Sequence, residues 1–119
     1  MLRKTTAVPL FALLAATSPA QSILLVPSQY PTIQAALNAA PPGGEVHIAP
    51  GVYTGTGNVD LVLATGSDLR IRGTGGSGAT VLDCQGSAAI PHRGFLITAG
   101  GPGLVLEGLT IRNAYEVRP

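Results

Sequence analysis

Residues Pro31–Tyr53 have the sequence PTIQAALNAAPPGGEVHIAPGVY, and this stretch predicts one short helix, a turn and a first strand. Its apolar residues recur at the spacing of one helical face, i, i+3, i+4 and i+7, at Ile33, Ala36, Leu37 and Ala40. Pro31 suits the first helical position, and the residues PPGG at 41–44 end the helix. The alternation in Val46-His47-Ile48 then predicts a strand that ends before Pro50. We therefore expect an amphipathic helix that covers the beginning of a β-structure.

After the helix, short apolar runs separated by Gly, Pro, Ser, Thr, Asn or Asp predict strands and turns. The runs are Val46–Ala49, Val59–Leu63, Leu69–Gly73, Thr80–Cys84, Gly94–Thr98 and Leu104–Asn113, the last with Gly108 in its middle. The motif LRIRG at 69–73 is similar to LTIRN at 109–113, and repeated short units are typical of solenoids. No Asn-Gly or Asp-Gly turn separates two alternating runs, so we expect parallel rather than antiparallel strands. The earlier run Ile23–Val26 is expected to start or cover a sheet edge.

Residues 1–20 have the order of a secretory signal peptide. Arg3 and Lys4 precede an uncharged run at 7–16, and Ser18 and Ala20 supply the small residues of a cleavage site. We expect cleavage after Ala20 and a secreted, extracellular or cell-surface protein. Residues 21–119 are then one small domain, and its later apolar runs are too short to span a membrane.

The charge balance excludes two classes of partner. Seven Lys and Arg oppose six Asp and Glu in the whole chain, and removing Arg3 and Lys4 leaves five basic residues against six acidic ones. Nucleic acids and anionic membranes need a concentrated basic surface, so we expect neither as a partner. Cys84 is the single cysteine, which excludes a disulfide framework and a cysteine-based metal cluster. We expect no cofactor and no metal.

The segments TIQAALNAAPPGGEVHIAPGVY, DLRIRGTGGSGATVLD, GFLIT and GLVLEGLTIRNAY resemble the amino-terminal part of the right-handed parallel β-helix (pectin lyase-like) superfamily. The similarity covers Val26 to Tyr115 and is greatest to pectin methylesterase-like and secreted bacterial β-helix proteins. It implies an all-β, right-handed parallel β-helix (solenoid), represented by its amino-terminal rungs only, with a short capping α-helix. It also implies core positions at Val46, Asp60 to Leu63, Leu69, Ile71, Val81, Phe95, Ile97, Leu104, Leu106, Leu109 and Ile111.

Several polar residues alternate with these core positions and are expected to point outward: His47, Arg70, Arg72, Glu107, Thr110 and Arg112. Arg70, Arg72 and Arg112 are candidate contacts for an acidic extracellular polysaccharide, because a guanidinium binds a carboxylate through two parallel hydrogen bonds. The alternative is an ordinary solvated sheet face, on which charged residues are common.

The sequence predicts no catalytic residue. Its six carboxylates are scattered, and His92 and Cys84 lack a third group to orient them. Gly73–Gly78 matches the glycine pattern of dinucleotide sites, but a β-branched run follows instead of a helix, so we expect a turn. In pectin methylesterases the catalytic residues come from rungs that follow the strand resembling Gly103–Asn113, so none is transferred to this chain.

We therefore expect a secreted, non-catalytic amino-terminal fragment of a polysaccharide-binding or polysaccharide-processing protein. An uncapped last rung at 104–113 predicts truncation and self-association through that open end. One alternative is a pectin methylesterase-like or lyase-like enzyme whose catalytic rungs lie beyond residue 119. The other is a structural, adhesin-like surface protein.

Overall fold

The computed structural model of the chain describes residues 22–63, 68–98 and 101–117. This part of the chain contains one helix and nine strands: β1 (Ile23–Val26), α1 (Ile33–Ala39), β2 (Glu45–Ile48), β3 (Gly51–Tyr53), β4 (Leu61–Leu63), β5 (Arg70–Gly73), β6 (Thr80–Asp83), β7 (Phe95–Ile97), β8 (Val105–Glu107) and β9 (Thr110–Arg112). The predicted signal peptide, residues 1–20, lies outside the described residues. Among those residues, no helix has the length and apolar character needed to cross a bilayer.

Helix α1 confirms the amphipathic helix predicted from the apolar spacing. It begins at Ile33, because Oγ1 of Thr32 accepts a hydrogen bond of 3.2 Å from a backbone N–H of the first turn. Pro31 therefore precedes the cap, and its expected place at the first helical position is wrong. Ile33, Ala36 and Leu37 are buried, and the helix packs against β1, β2 and β4.

All six pairings between these strands are parallel, and they form three sheets. The strand orders are β1-β2-β5-β8, β3-β6-β9 and β4-β7. Each predicted run contains a strand, and the last run divides at Gly108 into β8 and β9. Strand β3 was not predicted, because three residues next to Pro50 are too few to show a period. It forms by pairing with β6.

The predicted fold class, an all-β right-handed parallel β-helix, is wrong. The described strands are only three or four residues long and belong to three separate small sheets. Residues in the left-handed backbone region interrupt the chain between strands, since Asp60 and Gln85 both have a φ of 52°. Helix α1 contributes buried side chains to the same core as the strands, so it is part of the packing and not only a cap on one end. The class is a mixed one, in which one helix packs on small parallel sheets.

Side chains of register partners build the core in rows. In the four-stranded sheet, Leu24, Val46 and Ile71 are register neighbours and all are buried. Leu61 and Leu82 are also fully buried in the other two sheets. Rows of this kind place the intervening residues of each strand on the opposite face, which is where the candidate ligand contacts lie.

The predicted core is wrong at three positions on the last strands of the sheets, whereas Phe95 of β7 packs against the core as predicted. The side chains of Ile97, Leu106 and Ile111 are 42%, 40% and 44% exposed. Each lies on a strand with only one neighbour in its sheet, so one side of the side chain is uncovered. Asp60 is also exposed, because it precedes β4 and points away from the row that Leu61 begins. Self-association through the open end at residues 104–113 stays a prediction.

Candidate functional site

The outward face of the four-stranded sheet carries two of the three arginines predicted as ligand contacts. Strand β5 buries Ile71 and exposes Arg70 and Arg72, because successive side chains of a strand point to opposite faces. The register places His47 of β2 on one side of Arg72 and Glu107 of β8 on the other. We define the arginine face as the outward residues Glu45, His47, Arg70, Arg72 and Glu107.

Arg70 is held by an ion pair across the sheet. Its Nε lies 2.8 Å from Oε1 of Glu107, and both side chains are nearly half exposed. An exposed pair of this kind contributes roughly 0–1 kcal/mol to stability. A guanidinium has five N–H donors, so this pair leaves most of the donors of Arg70 available to a further acceptor.

The side chain of Arg72 makes no hydrogen bond or ion pair with any other residue that the structure describes, although its backbone pairs with β2 and β8. Its positive charge attracts the carboxylate of Glu45 without contacting it. Oε1 of Glu45 lies 2.9 Å from Nε2 of His47. This hydrogen bond outweighs the effect of burial and, with weaker attraction to Arg70 and Arg72, holds the pKa of Glu45 below its ordinary value. The guanidinium of Arg72 therefore presents its whole fork of donors to solvent.

Arg112 lies in a different sheet from the other two arginines. It is on β9 of the three-stranded sheet, and its Nε lies 3.2 Å from Oδ2 of Asp83. The side chain of Asn113 donates a hydrogen bond of 2.9 Å to the other carboxylate oxygen. The Asn113 hydrogen bond is the main reason why the pKa of Asp83 is lowered, with burial opposing it and Gln85 and Arg112 adding to it. The structure thus brings Arg70 and Arg72 together and places Arg112 elsewhere.

His92 has a partner that the sequence did not indicate. Its Nδ1 lies 2.5 Å from Oδ2 of Asp60, and Oδ1 of the same carboxylate accepts a hydrogen bond of 2.8 Å from the N–H of Arg93. Burial raises the pKa of Asp60, but the hydrogen bonds from Arg93 and His92 outweigh it and hold this pKa below its ordinary value. The ionised carboxylate only accepts hydrogen bonds, so Nδ1 of His92 is the donor.

The prediction that no third group orients His92 is therefore wrong. Asp60 and His92 are 32 residues apart, so no local motif connects them. The parallel register does, because Leu61 pairs with Phe95 and the N–H of Asp60 donates to the C=O of Arg93 at 2.7 Å. Asp60 lies within the predicted run Val59–Leu63, and His92 lies just before the run Gly94–Thr98. Aligning those two runs in parallel would have been the available signal.

Cys84 is not an activated nucleophile. Its side chain is 1% exposed, and burial raises the pKa of its thiol, with the carboxylates of Asp60 and Asp83 raising it further. Nucleophilic attack requires the thiolate, which these surroundings disfavour at neutral pH. Cys84 and the Asp60–His92 pair therefore do not make a cysteine-dependent catalytic site.

The glycine-rich segment Gly73–Gly78 leads into strand β6, as the turn prediction required. No helix amino terminus follows it to receive a pyrophosphate. Within residues 22–63, 68–98 and 101–117, no group of three His, Cys, Asp or Glu side chains is placed to hold a metal ion. Comparison with protein-family models, with curated proteins and with solved structures finds no match for the chain. Function is therefore inferred from the geometry of the described residues.

Proposed function

We propose that the protein is a secreted, non-catalytic binder of acidic polysaccharide, and that the arginine face is its contact surface. The observation that carries this proposal is the exposed guanidinium of Arg72, which has no ion pair within the described residues and lies two residues from Arg70 on β5. Two residues along a strand correspond to about 6.6 Å, so the two guanidiniums can engage successive acidic groups of one polymer. Each can bind a carboxylate through two parallel hydrogen bonds.

The charge of the face sets the strength of this binding. Glu107 already pairs with Arg70, and Glu45 lies on the same face, so the attraction to an anion comes mainly from Arg72. Exposed charges are screened within about 10 Å at 0.1 M salt. The expected binding is therefore weak for one sugar unit and salt-dependent, and it is strengthened when a polymer offers many carboxylates.

A binding function fits the carboxylates better than catalysis does. The pKa of Glu45, Asp60 and Asp83 is lowered in each case, and each carboxylate has a hydrogen-bond partner. A general acid at neutral pH needs a raised pKa, so none of these three can serve as one. The raised pKa of Cys84 keeps its thiol protonated, so this residue is not a nucleophile either.

The test is a calorimetric titration of the purified chain with polygalacturonate at low salt. Arg72→Ala is expected to weaken binding by about tenfold, the loss of one charge-assisted contact. Arg112→Ala is the matched control, because it removes the same charge from a different sheet and its arginine is already paired with Asp83. It is expected to change the affinity by less than about twofold. Fully methyl-esterified pectin, which has no free carboxylate, should not bind.

Two results would refute this function. One is unchanged affinity in Arg72→Ala, and the other is an equal loss in Arg72→Ala and Arg112→Ala, which would indicate attraction to overall charge only. Secretion is tested separately by fusing residues 1–20 to a reporter enzyme. The basic, apolar and small residues of this segment are expected to export the reporter, and Leu10→Arg within the apolar run should retain it inside the cell.

A further inference from the structure

Away from the arginine face, a cleft of about 560 Å³ opens beside the Asp60–His92 pair. Its walls come from helix α1, the loop before β4, the residues after β6 and the loop before β7. We define the His92 cleft by six of its lining residues: Gln34, Thr56, Asp60, Gln85, Ile90 and His92. Small-molecule sites in proteins commonly have volumes of roughly 300–1,000 Å³, and the cleft lies in that range.

Two polar residues of the cleft are already occupied. Both carboxylate oxygens of Asp60 accept hydrogen bonds, one from His92 and one from the N–H of Arg93. Oε1 of Gln34 accepts a hydrogen bond of 2.8 Å from the N–H of Val62, and its Nε2 donates one of 3.1 Å to the C=O of Val62. The oxygens of Asp60 and the amide of Gln34 are therefore engaged by groups of the protein, and these two residues shape the walls of the cleft.

Three other polar groups of the lining make no hydrogen bond with any described residue. They are the side-chain amide of Gln85, the hydroxyl of Thr56 and Nε2 of His92. The amide and the hydroxyl both donate and accept hydrogen bonds, and Nε2 accepts when Nδ1 donates to Asp60. Ile90, which is 61% exposed, adds apolar surface beside these groups.

The backbone around the cleft is strained at two residues. Asp60 and Gln85 both have a φ of 52°, in the left-handed region that residues other than glycine rarely adopt. Such strain persists only where surrounding contacts impose it, and it is concentrated at ligand sites. Asp60 and Gln85 both line this cleft, from segments that precede β4 and follow β6, whereas Asn113, the third such residue among those described, lies outside the lining.

We propose that the His92 cleft binds an uncharged, polyhydroxylated small molecule, either a free monosaccharide or the end of a neutral oligosaccharide. Hydroxyl groups both donate and accept, so they match the amide of Gln85, the hydroxyl of Thr56 and Nε2 of His92. The C–H surface of a sugar ring can pack on Ile90. An anionic ligand would be repelled by the ionised carboxylate of Asp60, and a cation would compete with the hydrogen bonds that His92 and Arg93 already donate to it. This site is independent of the arginine face.

The test is an NMR titration of the full chain with glucose, galactose and mannose, and with neutral oligosaccharides of the same sugars. Resonances of the Gln85 side-chain amide, the Ile90 methyl groups and the His92 imidazole are expected to shift at millimolar concentrations. Gln85→Gly removes the amide and suits a φ of 52°, so it should preserve the fold. It is expected to weaken binding by about fivefold, the usual effect of one hydrogen bond. Ser77→Ala is the control, because it changes an exposed polar side chain outside both the cleft and the arginine face, and it should bind with unchanged affinity.

Tighter binding of an oligosaccharide than of its monosaccharide would identify a chain end as the ligand, and equal binding would identify the free sugar. The proposal is refuted if no neutral sugar shifts these resonances at tens of millimolar. Equal affinity in the wild type and in a folded Gln85→Gly variant would also overturn it. Galacturonate binding more tightly than galactose in the cleft would refute the uncharged class of ligand. Because the cleft and the arginine face have no residue in common, the result stands apart from that of the polygalacturonate titration.

Discussion

The carboxylate of Asp60 lies 2.5 Å from the imidazole Nδ1 of His92, although 32 residues separate them along the chain. This contact joins the residue before β4 to the loop before β7. The C=O of His92 also accepts a hydrogen bond of 2.7 Å from the N–H of Tyr115, which brings the segment after β9 to the same place. Three distant segments are thus connected around one histidine, and the connection depends on an ionised carboxylate.

This dependence predicts a loss of stability in acid. The pKa of Asp60 is lower in the folded chain than its unfolded value of about 3.9, so its contribution is fully present above pH 4. It is lost as the pH falls through the folded pKa. Asp60→Asn should therefore lower the melting temperature at pH 7, and the difference from the wild type should shrink below about pH 4. Melting curves between pH 2 and 7 measure it, and a constant difference at every pH would contradict it.

Gly73 is predicted to tolerate no side chain. A Cβ at Gly73 would overlap the C=O oxygen of Gly108 and would lie 2.8 Å from Cβ of Thr80. Neither atom is at the end of a flexible side chain, so Gly73→Ala should cost at least about 2 kcal/mol of unfolding free energy. Gly78→Ala is the control, because nothing lies within 4 Å of its Cβ. Urea unfolding measures the free energy of unfolding of both variants. Equal values would show that Gly73 of β5 has room for a side chain beside Gly108.

Thr80→Val is predicted to stabilise the chain. Thr80 is fully buried, and its hydroxyl has no hydrogen-bond partner among the described residues. Valine has nearly the same shape and removes the cost of burying an unpaired hydroxyl, so the unfolding free energy should rise by about 1 kcal/mol. Thr80→Ser keeps the hydroxyl and loses the methyl group, so it should be destabilising. Thermal unfolding distinguishes the two, and a Val variant less stable than the wild type would refute the prediction.

Gln34 is predicted to attach helix α1 to strand β4. Its side-chain amide accepts a hydrogen bond from the N–H of Val62 and donates one to the C=O of the same residue, as the backbone of a neighbouring strand would. Gln34→Leu should therefore cost about 1–2 kcal/mol and accelerate hydrogen exchange at the Val62 amide. Asn38→Ala is the control, since it removes the Gln34–Asn38 hydrogen bond of 3.0 Å and leaves Val62 bound. Unchanged exchange at Val62 in Gln34→Leu would show that this amide is not protected by the helix.

Local pattern predicted the helix and every described strand except β3, but it did not predict how they assemble. The spacing of Ile33, Ala36 and Leu37 predicted the buried face of α1, and the apolar alternation at Val46–Ile48 predicted β2. The fold class inferred from the resemblance was wrong, since the strands lie in three separate sheets and one face of the helix packs against them. Periodicity reports which face of an element is buried, and it does not report which strands share a sheet.

The sequence by itself determined the helix, most of the strands, the turns between them and the alternation that puts Arg70 and Arg72 on one outward face. These depend on residues close together in the chain, where propensity and spacing act directly. Only the tertiary structure decided that Arg112 lies in another sheet and that Asp60 orients His92. Both outcomes depend on the register of parallel pairing between segments about 30 residues apart. That register is set by packing across the sheets, to which no short stretch of sequence corresponds.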